Sequence, residues 1–208
     1  RHMVKPDGTT LFPFMPFQEL SDEDLTAVIS FLRSQPAVKH EVKPSELSFL
    51  GKALCAFGAI KPEGPKNTPV KSIVKDTSAL YGQYLANSVA NCVGCHTERD
   101  MKTGKFIGEP FAGGFRFEPD AFSKGHSYIS PNITIDKETG VIANWDKTFF
   151  VNRFGSGRIH DGSPMPWGAF SRINNTELKA IYAYLQTVKP VNRKIEKTVY
   201  APGEKFPE

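Results

Sequence analysis

Cys92-Val93-Gly94-Cys95-His96 reads CxxCH, the attachment sequence of c-type haem. Two thiols three positions apart at the end of a helix can reach the two vinyl groups of one porphyrin as thioethers, and the adjacent imidazole then falls under the iron. The motif therefore predicts Cys92 and Cys95 as covalent anchors and His96 as the proximal axial ligand. A zinc ribbon would need a second CxxC, and the third cysteine, Cys55, with scattered histidines lacks zinc-ligand spacing. A thioredoxin-like pair would need a βαβ context, which is not visible. Cys55 reads as a small buried hydrophobe.

Around the motif lies a chain of 208 residues, 39% hydrophobic and 23% charged, enough for one large domain or two small ones. The longest apolar run, from Ala53 to Ile60, is interrupted by Gly58 and preceded by Lys52, so a transmembrane helix is excluded. The net charge of +4 is spread without the Lys/Arg blocks of a nucleic-acid binder and suits weak docking of acidic partners. Arg1 is preceded by no initiator Met or signal segment and reads as a boundary rather than a natural start.

Two amphipathic helices are legible. Leu25, Val28, Ile29 and Leu32 form one apolar face, opened by Ser21 as N-cap and closed before Pro36. Leu178, Ile181, Tyr182 and Leu185 repeat that spacing, with Asn174 or Asn175 as cap and Pro190 as stop. Upstream, Met15-Pro16 matches Met165-Pro166, Asp7-Gly8 matches Asp161-Gly162, and Arg1 matches Arg153. Residues 1–38 thus read as a second copy of residues 153–191. Residues 39–75 read as a linker with one short helix, its Leu47, Leu50, Leu54 and Phe57 covering a neighbouring domain or touching a membrane surface. A third helix is expected from Asp76 to Asn91 with Tyr81, Tyr84, Leu85 and Ser88 on one side. Loops with a short hairpin near Gly113 and Gly114 are expected between Met101 and Gly140, then a helix from Trp145 to Phe154.

For the second axial position the candidates are Met101, His126, His160 and Met165. Pro164 and Pro166 hold the backbone around Met165 extended, which favours its thioether; Met101 is too near the attachment site to reach the opposite haem face. His126 and His160 sit in polar loops and read as surface histidines. Thr103-Gly104-Lys105-Phe106 lacks the glycine and hydroxyl of a phosphate-binding loop.

Tyr81-Gly82-Gln83-Tyr84-Leu85-Ala86 leading into CxxCH, Ser130-Pro131-Asn132-Ile133-Thr134 followed by Thr139-Gly140 and Trp145, and the Met165-Pro166 segment before the last helix resemble class I c-type cytochromes. More closely, they resemble the multihaem cytochrome c subunits of membrane-associated alcohol-type dehydrogenases. The resemblance implies an all-α cytochrome domain over 76–192 with a long loop insertion and a tail over 193–208, preceded by the C-terminal half of another such domain over 1–38. It implies that Gly82 lets the terminal helices cross closely, that Phe115, Ile133, Trp145, Phe149 and Trp167 line the haem crevice, and that Asn132 or Arg153 lies near the propionates. Met15 would ligate a second iron where the missing half-domain is present. The function implied is one-electron transfer through haem c, without substrate chemistry, to a dehydrogenase or terminal oxidase on the periplasmic or outer membrane face. A dihaem enzyme of thiosulfate dehydrogenase or peroxidase type and a haem-based sensor are the competing classes. Asn132-Ile133-Thr134 also matches a glycosylation sequon, read as coincidence.

Overall fold

The computed structural model describes residues 2–8, 17–43, 46–58, 64, 71–100 and 104–207, which leaves Met15 and Met101 outside the described residues. The chain divides into two compact units, residues 1–73 and 74–208.

In the first unit, helix α1 (Asp22–Ser34) starts where Ser21 Oγ accepts the Asp24 N–H at 3.1 Å, with three acids in its first turn and Arg33 in its last. It stops as Gln35 turns extended ahead of Pro36. Helix α2 (Phe49–Ala56) is capped by Ser48 accepting from Gly51 N at 3.2 Å. The expectation that α1 buries its apolar face does not hold: Val28, Ile29 and Leu32 are 48%, 42% and 63% exposed. Among the described residues no helix or strand packs on α1 or α2. Periodicity sets the helix, but burial needs an opposing surface. Phe49, Leu50 and Phe57 of the α2 region are likewise exposed, and Cys55 is half-buried rather than core. Among the described residues of this unit, Met3, Leu20 and the capping Ser21 are buried.

The second unit is built on α3 (Ala79–Tyr84) crossing α7 (Asn175–Leu185). Ser78 caps α3 and Asn174 caps α7. Tyr81, Tyr84, Leu85 and Ser88 are buried as predicted, facing a helix whose Leu178, Ala180, Ile181 and Leu185 are also buried. A carbon added at Gly82 would stand 1.9 Å from the Ala180 carbonyl oxygen, so the two backbones touch there. Tyr81 Oη donates to Glu177 Oε1 at 3.2 Å and Asn87 Nδ2 to Tyr184 Oη at 3.2 Å, fixing the crossing at both ends. The helix predicted from Asp76 begins three residues later, since Asp76 Oδ1 accepts the Ser78 N–H. It continues past α3 as a π-helical turn, Leu85–Val89. The helix predicted from Trp145 is α5 (Lys147–Gly155), capped by Asp146; α5 packs on α7, and the short α6 (Trp167–Phe170) packs on α5.

The fold is mostly helical rather than all-α. Strands β1 (Arg116–Phe117), β2 (Ser127–Ile129) and β3 (Val199–Tyr200) form an antiparallel sheet in that order, with Arg116 opposite Ile129 and Ser127 opposite Tyr200. The predicted hairpin is β1–β2, beyond Gly113 and Gly114. The segment read as a tail supplies β3 and is held further by Arg116 Nη2 donating to the Pro207 carbonyl at 2.9 Å.

Asn132 organises the long irregular stretch. Its Oδ1 accepts Thr134 N at 2.9 Å and Thr134 Oγ1 at 2.8 Å, while Nδ2 faces Thr139 Oγ1, the Val191 carbonyl and the Arg193 carbonyl at 3.0, 2.8 and 3.3 Å. The residue is 1% exposed, so the sequon is closed to modification in the folded chain. Asn132→Ala should lower the stability of this unit by roughly 2–4 kcal/mol, because buried donors and carbonyls lose their partner. Asn132→Asp should cost as much, since it turns an acceptor toward two carbonyls. Chemical denaturation of both variants checks this.

Candidate haem-binding site

The π-turn closes with Ala90 N donating to the Leu85 carbonyl at 2.8 Å, and Asn91 then adopts a left-handed conformation at φ 49°. Asparagine tolerates that region better than other side chains, and the bend redirects the chain into α4 (Cys92–Cys95). Gly94 packs on the Asn91 side chain, where an added carbon would lie 2.3 Å from Nδ2. One turn of helix puts Cys92 and Cys95 on the same side. Both thiols are free. Burial, and then the neighbouring Cys95, push the Cys92 thiol up to about 12. Burial also raises Cys95, against the opposing positive charge of Arg99. Both cysteines are half-buried, with their thiols held protonated.

His96 ends α4, its N–H donating to the Cys92 carbonyl at 2.8 Å. Its Nδ1 lies 3.0 Å from the Pro131 carbonyl oxygen. A carbonyl only accepts, so Nδ1 carries the proton and Nε2 presents a lone pair. Burial pushes the imidazole pKa down, holding it neutral, and the bond to Pro131 opposes this only in part. A neutral imidazole with its far nitrogen pinned to a carbonyl is the form required of a metal ligand.

The strand leaving His96 is clamped on the segment that supplies Pro131. Gly113 N donates to the His96 carbonyl at 2.8 Å, Gly114 N to the Ser130 carbonyl at 2.9 Å and Ile133 N to the Phe111 carbonyl at 2.9 Å. At Gly113, with φ +73°, an added carbon would stand 2.5 Å from Ser130 O. Phe111 itself is left-handed at φ 64°, a strained state for a bulky residue, held by complete burial, by its N–H to Thr97 Oγ1 at 3.2 Å and by edge contact with Tyr184 at 5.8 Å.

Beyond Pro131 a small cleft of about 160 Å³ opens, lined among others by Pro131, Tyr128, Arg153, His160, Pro164 and Trp167. Arg153 lies 3.8 Å over the Trp167 ring and donates Nη1 to the Gly157 carbonyl at 2.7 Å. The structure thus brings Arg153 and Trp167 together with Pro131, whose carbonyl meets His96, and with Pro164, which precedes Met165. Met165 is half-buried, and neither it nor His96 forms part of the cleft wall. Trp145 and Phe149 pack edge-on at 5.0 Å, but Phe149 is 52% exposed. Phe115 and Ile133 are half-buried, Phe115 against Phe117 at 4.6 Å. Asn132 spends its side-chain amide on its own chain, through Thr134, Thr139 and the Val191 and Arg193 carbonyls. His160 is exposed, and His126 directs Nδ1 to the Ser123 carbonyl at 3.1 Å. Sequence reasoning did not single out the Pro131 carbonyl as the group that orients His96, although the Ser130-Pro131-Asn132 stretch carried the signal.

Two free thiols on one helical turn, followed by a neutral imidazole whose Nδ1 is held by a carbonyl, fit a covalently held haem. The cytochrome c family model matches residues 79–189, and the chain belongs to the cytochrome c family. It is a haem c electron-transport chain related to the cytochrome subunits of dehydrogenases. It is 30% identical over 215 residues to the "Alcohol dehydrogenase (quinone), cytochrome c subunit" of Gluconobacter oxydans (strain 621H), covering 92% of this chain and 42% of that protein. The corresponding subunit of Gluconacetobacter polyoxogenes is 26% identical over 209 residues, covering 92% and 43%. The "Fructose dehydrogenase cytochrome subunit" of Gluconobacter japonicus is 35% identical over 135 residues, covering 62% and 25%. The chain spans less than half the length of these relatives.

Proposed function

We propose that this chain carries single electrons between a dehydrogenase and a downstream acceptor, through one haem c held by Cys92 and Cys95 with His96 and Met165 as axial ligands. The observation that carries this reading is the Nδ1 contact of His96 with Pro131, one residue beyond two free thiols on the same helical turn. When bound, the haem supplies an Fe(II)/Fe(III) couple, and a methionine sulfur opposite histidine raises its potential. The chain's own residues would hold and shield it: α3 and α7 fix the motif, the half-buried Phe115, Ile133, Trp145 and Trp167 would pack against it with Phe149 at the solvent edge, and Arg153 would offer a charge to the haem carboxylates.

The reading extends to the whole protein. The shared order of Asp-Gly, Met-Pro and amphipathic helix supports residues 1–38 as the C-terminal half of another cytochrome domain, whose iron would take Met15. Residues 39–75 would join the two domains, and Val28, Ile29 and Leu32 of α1 would be covered as their counterparts in α7 are. The dehydrogenase relatives support a dehydrogenase partner, and covalent haem attachment suits the periplasmic or outer membrane face. Among the described residues no helix is long and apolar enough to cross a membrane.

Covalent attachment predicts that haem stays with the polypeptide on a denaturing gel. Staining for haem peroxidase activity should reveal the band, and Cys92→Ser with Cys95→Ser should abolish it. An unstained band together with zinc by elemental analysis would overturn the proposal.

A further inference from the structure

Arg193 follows α7 and lies beyond residues 79–189, the stretch that matches the cytochrome c family. Its main chain and its side chain grip opposite sides of the His96 surroundings. On one side, Arg193 N donates to Thr139 Oγ1 at 3.0 Å and its carbonyl accepts Asn132 Nδ2 at 3.3 Å, which holds the segment that begins at Pro131. On the other side, Nη2 donates to Glu98 Oε2 at 2.7 Å and Nη1 to the Gly113 carbonyl at 3.4 Å. A carbon added at Gly114 would stand 2.4 Å from Nη2 and 2.6 Å from Cζ, so the guanidinium rests directly on bare glycine backbone. Glu98 and Gly113 belong to the side that carries His96: Glu98 is two residues beyond it, Thr97 pairs with Gly113, and Gly113 N donates to the His96 carbonyl at 2.8 Å. A planar fork with several fixed donors suits such a bridge better than a single ammonium.

We propose that Arg193 is a positioning residue for His96: by stapling the Glu98 and Gly113 side to the Pro131 and Asn132 side, it keeps the 3.0 Å contact between His96 Nδ1 and the Pro131 carbonyl short. The inference rests on the haem attachment proposed above. A hydrogen bond from Nδ1 to a carbonyl leaves more electron density on Nε2 and makes the imidazole a stronger ligand. A stronger donor favours Fe(III), so a longer bond favours Fe(II). The guanidinium can be removed while the main-chain contacts of Arg193 with Thr139 and Asn132 remain. Only the link between the two sides is then lost.

Redox titration and NMR hydrogen exchange on the haem-loaded full chain test this. Arg193→Ala combined with Glu98→Ala removes the staple without changing net charge. It should raise the midpoint, with about a threefold higher ferrous-to-ferric ratio at a fixed applied potential, ~28 mV for one electron. In the ferrous form the His96 Nδ1 proton should exchange with solvent about tenfold faster, while the Ile181 amide in α7 keeps its rate. Arg193→Lys, which keeps the short contact with Glu98, should stay within about twofold of wild type in both readouts. Lys194→Ala combined with Glu196→Ala removes an exposed neighbouring pair, 2.9 Å apart, and should change neither. With haem in place, an unchanged midpoint and Nδ1 exchange in the first double variant would overturn the inference alone. So would an equal rise in exchange at Ile181, which would mean that the pair only stabilises the unit, or an Arg193→Lys change as large as that of the double variant. A wild-type chain without covalent haem would overturn the function proposed above and this inference with it.

Discussion

Replacing Gly82 by Ala should cost the second unit about 3 kcal/mol or more and lower its melting midpoint by roughly 10 °C. The added carbon would stand 1.9 Å from the Ala180 carbonyl oxygen, 2.4 Å from its carbonyl carbon and 2.9 Å from Tyr184 Cβ. Two of these atoms are backbone of the facing helix, so no rotamer change relieves the clash and α3 must move off α7. That separation opens the layer containing Ala180, Ile181 and Tyr81, all 2% exposed or less. It also stretches the Tyr81–Glu177 and Asn87–Tyr184 hydrogen bonds. Because α3 runs through the π-turn directly into α4, the displacement would pass to Cys92 and Cys95. Gly155→Ala is the matched control: it is helical, its added carbon meets nothing within 4 Å, and it should be neutral or slightly stabilising. Thermal melts of both variants decide the matter, and a Gly82→Ala melt equal to wild type would show that the crossing tolerates separation.

The parts of this fold legible in the sequence are those set by local chemistry. Ser21 and Asn174 cap helices because each places an oxygen over free N–H groups of its own first turn, and nothing distant is needed. The CxxCH motif is legible for the same reason, since both anchors and the ligand lie within five residues. The sheet is not local. Strands β1 and β3 have two residues each, and β3 joins β2 from some seventy residues along the chain, so neither leaves a periodic trace. The same distinction explains α1. Its amphipathic pattern predicts the helix correctly, but whether Val28, Ile29 and Leu32 are covered depends on a surface that the pattern cannot contain. At the site, the pairing of His96 with Pro131 is a tertiary fact, and it leaves a trace only as a Pro-Asn step thirty-five residues downstream.

Met165→Ala should convert a six-coordinate, low-spin haem into one with an open position that binds carbon monoxide in the ferrous state, and should lower its potential. Of the side chains considered for the sixth position, only Met165 has a proline on both sides in the sequence. Pro164 and Pro166 flank it, Pro164 lines the cleft with Trp167, and Trp167 N donates to the Met165 carbonyl at 2.8 Å. The cation of Arg153 stacked on Trp167 and tied to the Gly157 carbonyl holds that wall against α5. Thioether loss removes a neutral ligand that favours Fe(II), which is why the potential falls rather than rises. His160→Ala and His126→Ala should change neither carbon monoxide binding nor potential, since His160 is exposed at the rim and His126 directs Nδ1 to the Ser123 carbonyl. The electronic spectrum in both oxidation states, with and without carbon monoxide, reads all three variants. A Met165→Ala chain that stays six-coordinate would assign the iron another sixth ligand, and the loss of spectrum in His160→Ala would name it. Neither result would touch the anchors, because Cys92, Cys95 and His96 are fixed by α4 and by the Pro131 carbonyl, independently of the methionine loop.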